Sequence, residues 1–218
     1  MYTVRKRYRK FYELCHDVLQ YLNIRVIDCN KGMLLSTKEV PLFLTGTLNT
    51  LWQSWNSLWR VYWLANLYGG LGINHDIIPS GDFSRSKHEE EAIFYLLYLL
   101  GRKKRANGRS RGSFEEVSWG DKNVIESLSL ILHGENSDIL TYIGQYGDAI
   151  KHLQIVRNAS IHLDKYNVRR IINDVLPHYT ISTYKYPWEI IFARDLSNGK
   201  PAIQNWVDDL TVFIKIVS

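Results

Sequence analysis

Residues 41–63, PLFLTGTLNTLWQSWNSLWRVYW, decide the fold class. Leu44, Leu48, Leu51, Trp52, Trp55, Trp59 and Tyr62 recur every three or four positions, so on a helix they form one apolar stripe. That spacing demands burial, and core packing explains these aromatics better than base stacking does. Trp63 lies off the stripe and marks a second buried face or a dimer contact. Pro41 can open the helix, and Gly69, Gly70 and Gly72 end it. Upstream, Phe11, Tyr12, Cys15, Val18, Leu19 and Leu22 repeat the same spacing. Downstream, Ser86 followed by Glu89 matches a capping box, and the glutamates 89–91 suit the positive end of a helix dipole. That helix runs to Leu100 and stops at Gly101. Further helices are predicted over Asp121–His133, from Ser137 past His162 with a kink or break at Gly144 and Gly147, and over Val168–Val175 before Pro177. Tyr179–Tyr184 has strand composition, and Gln204–Ile216 is compatible with helix or strand. The reading is all-α: a helical domain over 1–178 and a C-terminal extension over 179–218, compatible with short strands and packed on the same domain.

The chain has 218 residues, 45% hydrophobic and 22% charged, which excludes disorder, collagen-like repeats and a disulfide scaffold. Two cysteines, Cys15 and Cys29, are too few for a structural zinc site and could form one disulfide at most. The longest apolar run, Ile93 to Leu100, has eight residues against the roughly 20 of a membrane-spanning helix. Nor does the amphipathic N-terminus read as a secretory signal. A soluble protein of a reducing cytoplasm is the expectation. The net charge of +5 hides an asymmetry: Arg5, Lys6, Arg7, Arg9 and Lys10 form one basic run, and Arg102, Lys103, Lys104, Arg105, Arg109 and Arg111 form another. With those eleven set aside, 16 basic residues face 22 acidic ones, a net of −6.

Several chemistries lack their residues. Gly69-Gly70-Leu71-Gly72 has neither the lysine nor the preceding strand of a phosphate loop. There is no His-Glu-x-x-His, no paired cysteine spacing and no Gly-x-Ser-x-Gly elbow, so no metal and no cofactor is expected. His88 with Glu89, Glu90 and Glu91 reads as a charged helix start.

One constellation stands out: Ile155-Val-Arg157-Asn158-Ala-Ser-Ile-His162. Asn158 and His162, four apart on a helix, share a face, and the long side chain of Arg157 can swing toward it. Histidine can move a proton near neutral pH, arginine can hold a phosphate bidentately, and an amide can orient either. The bland alternative is a surface helix in which Arg157 forms a salt bridge with an acid such as Asp148 or Asp164. Spacing alone is weak, since Arg9 and His16 satisfy it too, though without the amide. His152, ten residues before His162, falls on another part of the helix and reads as a bystander.

The Ile-Val-Arg-Asn-x-x-x-His block late in a long helix resembles the HEPN superfamily (higher eukaryotes and prokaryotes nucleotide-binding) over about Tyr142 to Tyr166; the helical run with Trp55, Asn56, Trp59 and Arg60 is compatible with it. The resemblance implies a helical bundle that dimerises so that two motifs meet at a cleft. It also implies metal-independent cleavage of RNA by attack of the ribose 2′-hydroxyl on the adjacent phosphate. Arg157 would stabilise the transition state, His162 would act as general acid or base, and Asn158 would position one of them. Many members are toxins of toxin–antitoxin pairs or antiphage defence effectors, which implies an antitoxin or defence partner protein. One branch carries a modifiable tyrosine two residues after the histidine; here that position is Asp164, with Tyr166 two further on.

The leading expectation is therefore an endoribonuclease acting as a homodimer, with the 102–112 cations contacting RNA phosphates and the 5–10 run assisting them or facing an acidic partner subunit. A solvated flexible loop is the plain reading of 102–112. The alternative function is a catalytically inactive HEPN-like protein that binds nucleic acid or regulates a partner. A DNA-binding regulator ranks last, for want of a recognition helix.

Overall fold

A computed structural model describes the chain except residues 1, 31–38, 75, 82, 84–87, 113–114, 163 and 218, and except the side chains of 23–30. Ser86 of the expected capping box and the Cys29 thiol lie outside the described residues.

The protein is mainly α-helical. The order is β1 (Tyr2–Thr3), α1 (Val4–Asn30), α2 (Glu39–Tyr68), β2 (Gly70–Leu71), β3 (Ile77–Ile78), α3 (Glu89–Leu99), α4 (Lys122–His133), α5 (Asp138–Ile161), α6 (Lys165–Arg170) and α7 (Ala202–Val217). A π-turn at Ile171–Val175 and a 3-10 turn at Leu176–His178 follow α6, and a second 3-10 turn spans Pro187–Phe192. Among the described residues no helix is long and apolar enough to cross a membrane.

The chain divides into two compact units. The first holds residues 1–11, 54–147 and 213–218. Its core is the aromatic stripe of α2: Trp55, Trp59 and Trp63 are fully buried, with ring centroids 5.6 Å apart for Trp55–Trp59 and 5.3 Å for Trp59–Trp63. Phe11 and Phe213 close on the same cluster at 5.4 and 6.4 Å from Trp55. Trp63 is thus a buried core residue. β1 pairs in parallel with β2, and β2 antiparallel with β3, a three-strand ribbon of two residues per strand. α4 starts where the Asp121 carboxylate accepts from the Asn123 N–H and stops at Gly134 with φ of 79°. α3 begins after His88, whose backbone N–H donates to Glu91. Arg60 pairs with Glu89 at 2.8 Å and Glu116 at 2.7 Å, which gives it a structural task within this unit.

The second unit holds residues 12–53 and 148–212, so 179–212 of the C-terminal extension clusters with parts of α1, α2 and α5. Its apolar core includes Leu48, Leu153, Ile155, Val156, Ile171, Ile190 and Leu210. A buried polar chain runs through it. The Trp206 indole N–H donates to the Tyr179 hydroxyl at 2.6 Å, and that hydroxyl lies 2.9 Å from Nδ1 of His152. Because indole can only donate, Trp206 takes one acceptor position of the Tyr179 hydroxyl, and that hydroxyl shares its other hydrogen bond with the His152 ring.

Two local expectations change and one open alternative is settled. The glycines at 144 and 147 do not break α5, which is continuous from 138 to 161. Residues 179–184 form no strand: Tyr179 makes a single bridge to Asp195, and its side chain is drawn into the buried chain just described. Residues 202–217 are helix, because Ala202, Ile203, Trp206, Val207, Leu210, Phe213 and Ile214 are the buried positions and recur at three-four spacing.

Candidate functional site

α5 delivers the candidate residues in its last turn and a half. Ile155, Val156 and Ala159 are buried there, which turns Arg157 and Asn158 to the half-buried flank of the helix. The Arg157 guanidinium is held by two amides. Its Nε–H donates to Oδ1 of Asn49 on α2 at 3.0 Å, one Nη–H donates to the same oxygen, and the other Nη donates to Oδ1 of Asn158 at 2.9 Å. Neither Asp148 nor Asp164 serves as its counter-ion. Asp164 instead caps α6, accepting from the Asn167 backbone N–H at 2.8 Å and the Asn167 side chain at 2.9 Å.

Arg157 is therefore a half-buried cation whose acceptors, among the described residues, are both neutral. Burial draws the guanidinium below its ordinary value, yet arginine stays protonated in any protein setting. A guanidinium carries five N–H donors. The Nε donor and one donor on each Nη are engaged, which leaves one on each terminal nitrogen for an incoming oxyanion.

α5 ends one residue before His162. The His162 N–H still donates to the Asn158 carbonyl at 2.8 Å, and the His162 carbonyl accepts from Nδ2 of Asn167 at 3.0 Å and from the Asp164 N–H at 3.0 Å. The backbone is pinned at the α5–α6 turn while the ring is exposed and, among the described residues, without a hydrogen-bond partner. Asn158 and His162 lie one helical turn apart. The set thus combines a fixed cation, two amide groups and an exposed imidazole. It can bind an oxyanion and exchange a proton with a group beside it.

The sequence reading named Arg157, Asn158 and His162 and missed Asn49. Nothing local distinguishes Asn49: it is one amide in a Leu- and Trp-rich helix, and its meaning comes from a partner 108 positions away. His152 is not surface-facing; it is 3% exposed, 4.8 Å from the His178 ring, and burial pushes its imidazole down to about 4.

The basic segment 102–112 lies in the first unit and is folded back on α3. The Arg102 N–H donates to the Leu97 carbonyl at 2.8 Å, and the Ser110 N–H donates to the Glu90 carbonyl at 3.0 Å. Lys103 pairs with Glu115 at 3.3 Å and Arg109 with Glu91 at 3.0 Å. Among the described residues the side chains of Arg102, Lys104, Arg105 and Arg111 are exposed and form no ion pair. Lys103 and Arg109 are thus compensated, Arg111 lies in the field of the Glu115 carboxylate that its N–H also meets, and Arg102, Lys104 and Arg105 remain available. No group of three or more His, Cys, Asp or Glu that could hold a metal ion occurs among the described residues. No family model, no curated protein and no solved structure matches this chain.

Proposed function

We propose that the chain is an endoribonuclease whose reacting groups are Arg157, Asn158 and His162, with Asn49 positioning Arg157. The observation that carries this reading is the uncompensated cation. A half-buried guanidinium held by two amide oxygens and, among the described residues, no carboxylate is poised to take an anion, and an exposed imidazole follows it five residues along the chain. In the reaction, the 2′-hydroxyl loses its proton to a base as its oxygen bonds to the adjacent phosphorus. The bond from phosphorus to the 5′-oxygen breaks, and that oxygen takes a proton. Arg157 offsets the charge that builds on the phosphoryl oxygens. His162 handles one of the two proton transfers. The products are a 2′,3′-cyclic phosphate and a 5′-hydroxyl. A homodimer that works as a toxin or antiphage effector, restrained by a partner protein, is the setting the HEPN resemblance implies.

The test is incubation of the purified protein with total RNA in EDTA, beside Arg157→Ala and His162→Ala variants. Cleavage to cyclic phosphate ends by the wild type alone is the expected result, with losses of at least 100-fold in each variant. Undiminished cleavage by either variant would remove the site. One observation favours a second reading, a non-catalytic HEPN-like protein: three of the five Arg157 donors are already engaged, as they would be in a purely structural role. An inert wild type that still binds RNA selects that reading.

A further inference from the structure

A cavity of about 500 Å³ opens in the first unit, and no residue of the Arg157 site lines it. It lies within the roughly 300–1,000 Å³ of small-molecule sites. Aromatic rings form one wall: Phe83, whose ring stands 5.4 Å from that of Tyr95 and meets Tyr68 edge-on at 5.4 Å. Amides and a ring nitrogen supply polar groups, from Asn66 at the end of α2, Asn107 in the basic segment and His133 at the end of α4. Among the described residues no carboxylate lines it.

The walls are built. The Gly81 N–H donates to the Asn66 carbonyl at 3.1 Å, which ties the segment before Phe83 to α2. Asn66 Nδ2 is held by the Tyr62 carbonyl at 2.9 Å. Asn107 precedes Gly108, where a Cβ would stand 2.6 Å from the Phe94 ring, so the chain can press onto α3 only because that residue is glycine. Lys103 lies over the same ring at 5.3 Å. This anchoring leaves Arg102, Lys104 and Arg105 exposed and uncompensated in the residues that immediately precede the cavity wall at Ala106 and Asn107.

An aromatic face, amide hydrogen-bonding edges and a basic segment that leads into the cavity wall match the three parts of a nucleotide: base face, base edge and phosphate. We infer that this cavity binds a nucleotide, with the base on Phe83 and Tyr95, its edge on Asn66 and Asn107, and its phosphate on Arg102, Lys104 and Arg105. The nucleotide is either free or one unit of single-stranded RNA, and the inference does not depend on cleavage at Arg157.

The full-length protein is titrated with adenosine and uridine 5′-monophosphates, with inorganic phosphate, and with a six-nucleotide single-stranded RNA, the last in the His162→Ala background to prevent cleavage. Asn107→Ala and Tyr95→Leu are compared with a triple Arg102→Gln, Lys104→Gln, Arg105→Gln variant, each shown by thermal melting to be folded. Asn107→Ala and Tyr95→Leu are expected to weaken nucleotide binding about tenfold or more while leaving phosphate binding unchanged. The triple variant is expected to weaken both. Mononucleotide binding equal to that of the hexamer identifies a free nucleotide as the ligand; a hexamer at least 100-fold tighter, displaced by mononucleotide, identifies an RNA subsite. Mononucleotide binding no tighter than phosphate, or unchanged by Asn107→Ala and Tyr95→Leu, overturns the inference. Each titration is repeated in the Arg157→Ala background, where the Arg157 site takes no phosphate; the effects of Asn107→Ala and Tyr95→Leu that remain there test this inference alone, and RNA cleavage by the wild type tests the ribonuclease reading, so the two failures are distinguishable.

Discussion

Asn49 makes the residue-scale case most sharply. Its Oδ1 accepts two of the Arg157 donors, and replacement by aspartate would place a carboxylate there without changing the shape. Asn49→Asp is expected to stabilise the fold slightly, by up to about 1 kcal/mol for a partly exposed pair, and to lower cleavage and anion binding at least tenfold because Arg157 would then be neutralised. Thermal melting and RNA cleavage read the two effects separately; a variant as active as wild type would show that the uncompensated charge has no role. His152 makes a different prediction. Burial first, then the neighbouring His178 ring, hold it down at about 4, against an ordinary value of 6.5. Below the ordinary value the unfolded chain takes up a proton that the native ring refuses. The stabilisation is therefore complete above about pH 6.5 and is lost as pH falls toward 4, by about 3 kcal/mol. Asp148 and Lys151 also face this ring, with opposing influence, so the slope is best read against His152→Gln. That variant is expected to be less stable at pH 7 and to show a flatter pH profile between 6.5 and 4. The motif residues were legible because they are adjacent in sequence and chemically distinctive. Asn49 and the Tyr179 partner of His152 were not, since each is defined by a contact across the fold.

Among the elements, α2 carried the clearest signal and made the most of it. Its stripe predicted a buried helix, and Trp55, Trp59 and Trp63 are fully buried. What periodicity did not reveal is the residue that closes over Trp55. The Trp55 indole donates to the Gly120 carbonyl at 2.9 Å, the Gly120 N–H donates to Asn56 at 2.9 Å, and a Cβ at Gly120 would stand 2.3 Å from the Trp55 ring. Gly120→Ala is expected to cost about 2–3 kcal/mol through overpacking, read as a lowered denaturant midpoint with unchanged slope. A midpoint equal to wild type would show that the ring can move aside. α7 teaches the converse. Its buried positions repeat at helical spacing, but the β-branched residues among them kept strand open until tertiary burial displayed which face was covered. In α5 the two glycines suggested a kink or a break; the helix does not break, because packing overrides propensity, as it commonly does for a long helix with a buried face.

For the whole molecule, charge is the property that composition measured and folding redistributed. The six cations of 102–112 read as one uniform block. Glu115 and Glu91 compensate Lys103 and Arg109, the other four form no ion pair among the described residues, and of these only Arg111 lies near a carboxylate, that of Glu115. Changing Arg102, Lys104, Arg105 and Arg111 together to glutamine is therefore expected to reduce the salt dependence of single-stranded RNA binding by about 3 in the log–log slope, if each meets a phosphate. Changing Lys103 and Arg109 should alter it far less. Filter binding from 50 to 200 mM salt checks both; equal effects from the two sets would mean the ion pairs do not persist in solution. Sequence by itself determined the helical class, the position of most helices and the aromatic core of α2, because each of these is written in spacing along the chain; it also named Arg157, Asn158 and His162 as candidates. Only the tertiary structure decided that Arg157 has amides rather than acids for company, that His152 is buried, which loop cations stay free, and that 179–212 clusters with 12–53 and 148–178. Those outcomes depend on which groups meet from distant parts of the chain, and the energies of burial and charge pairing act on that meeting, not on sequence neighbours.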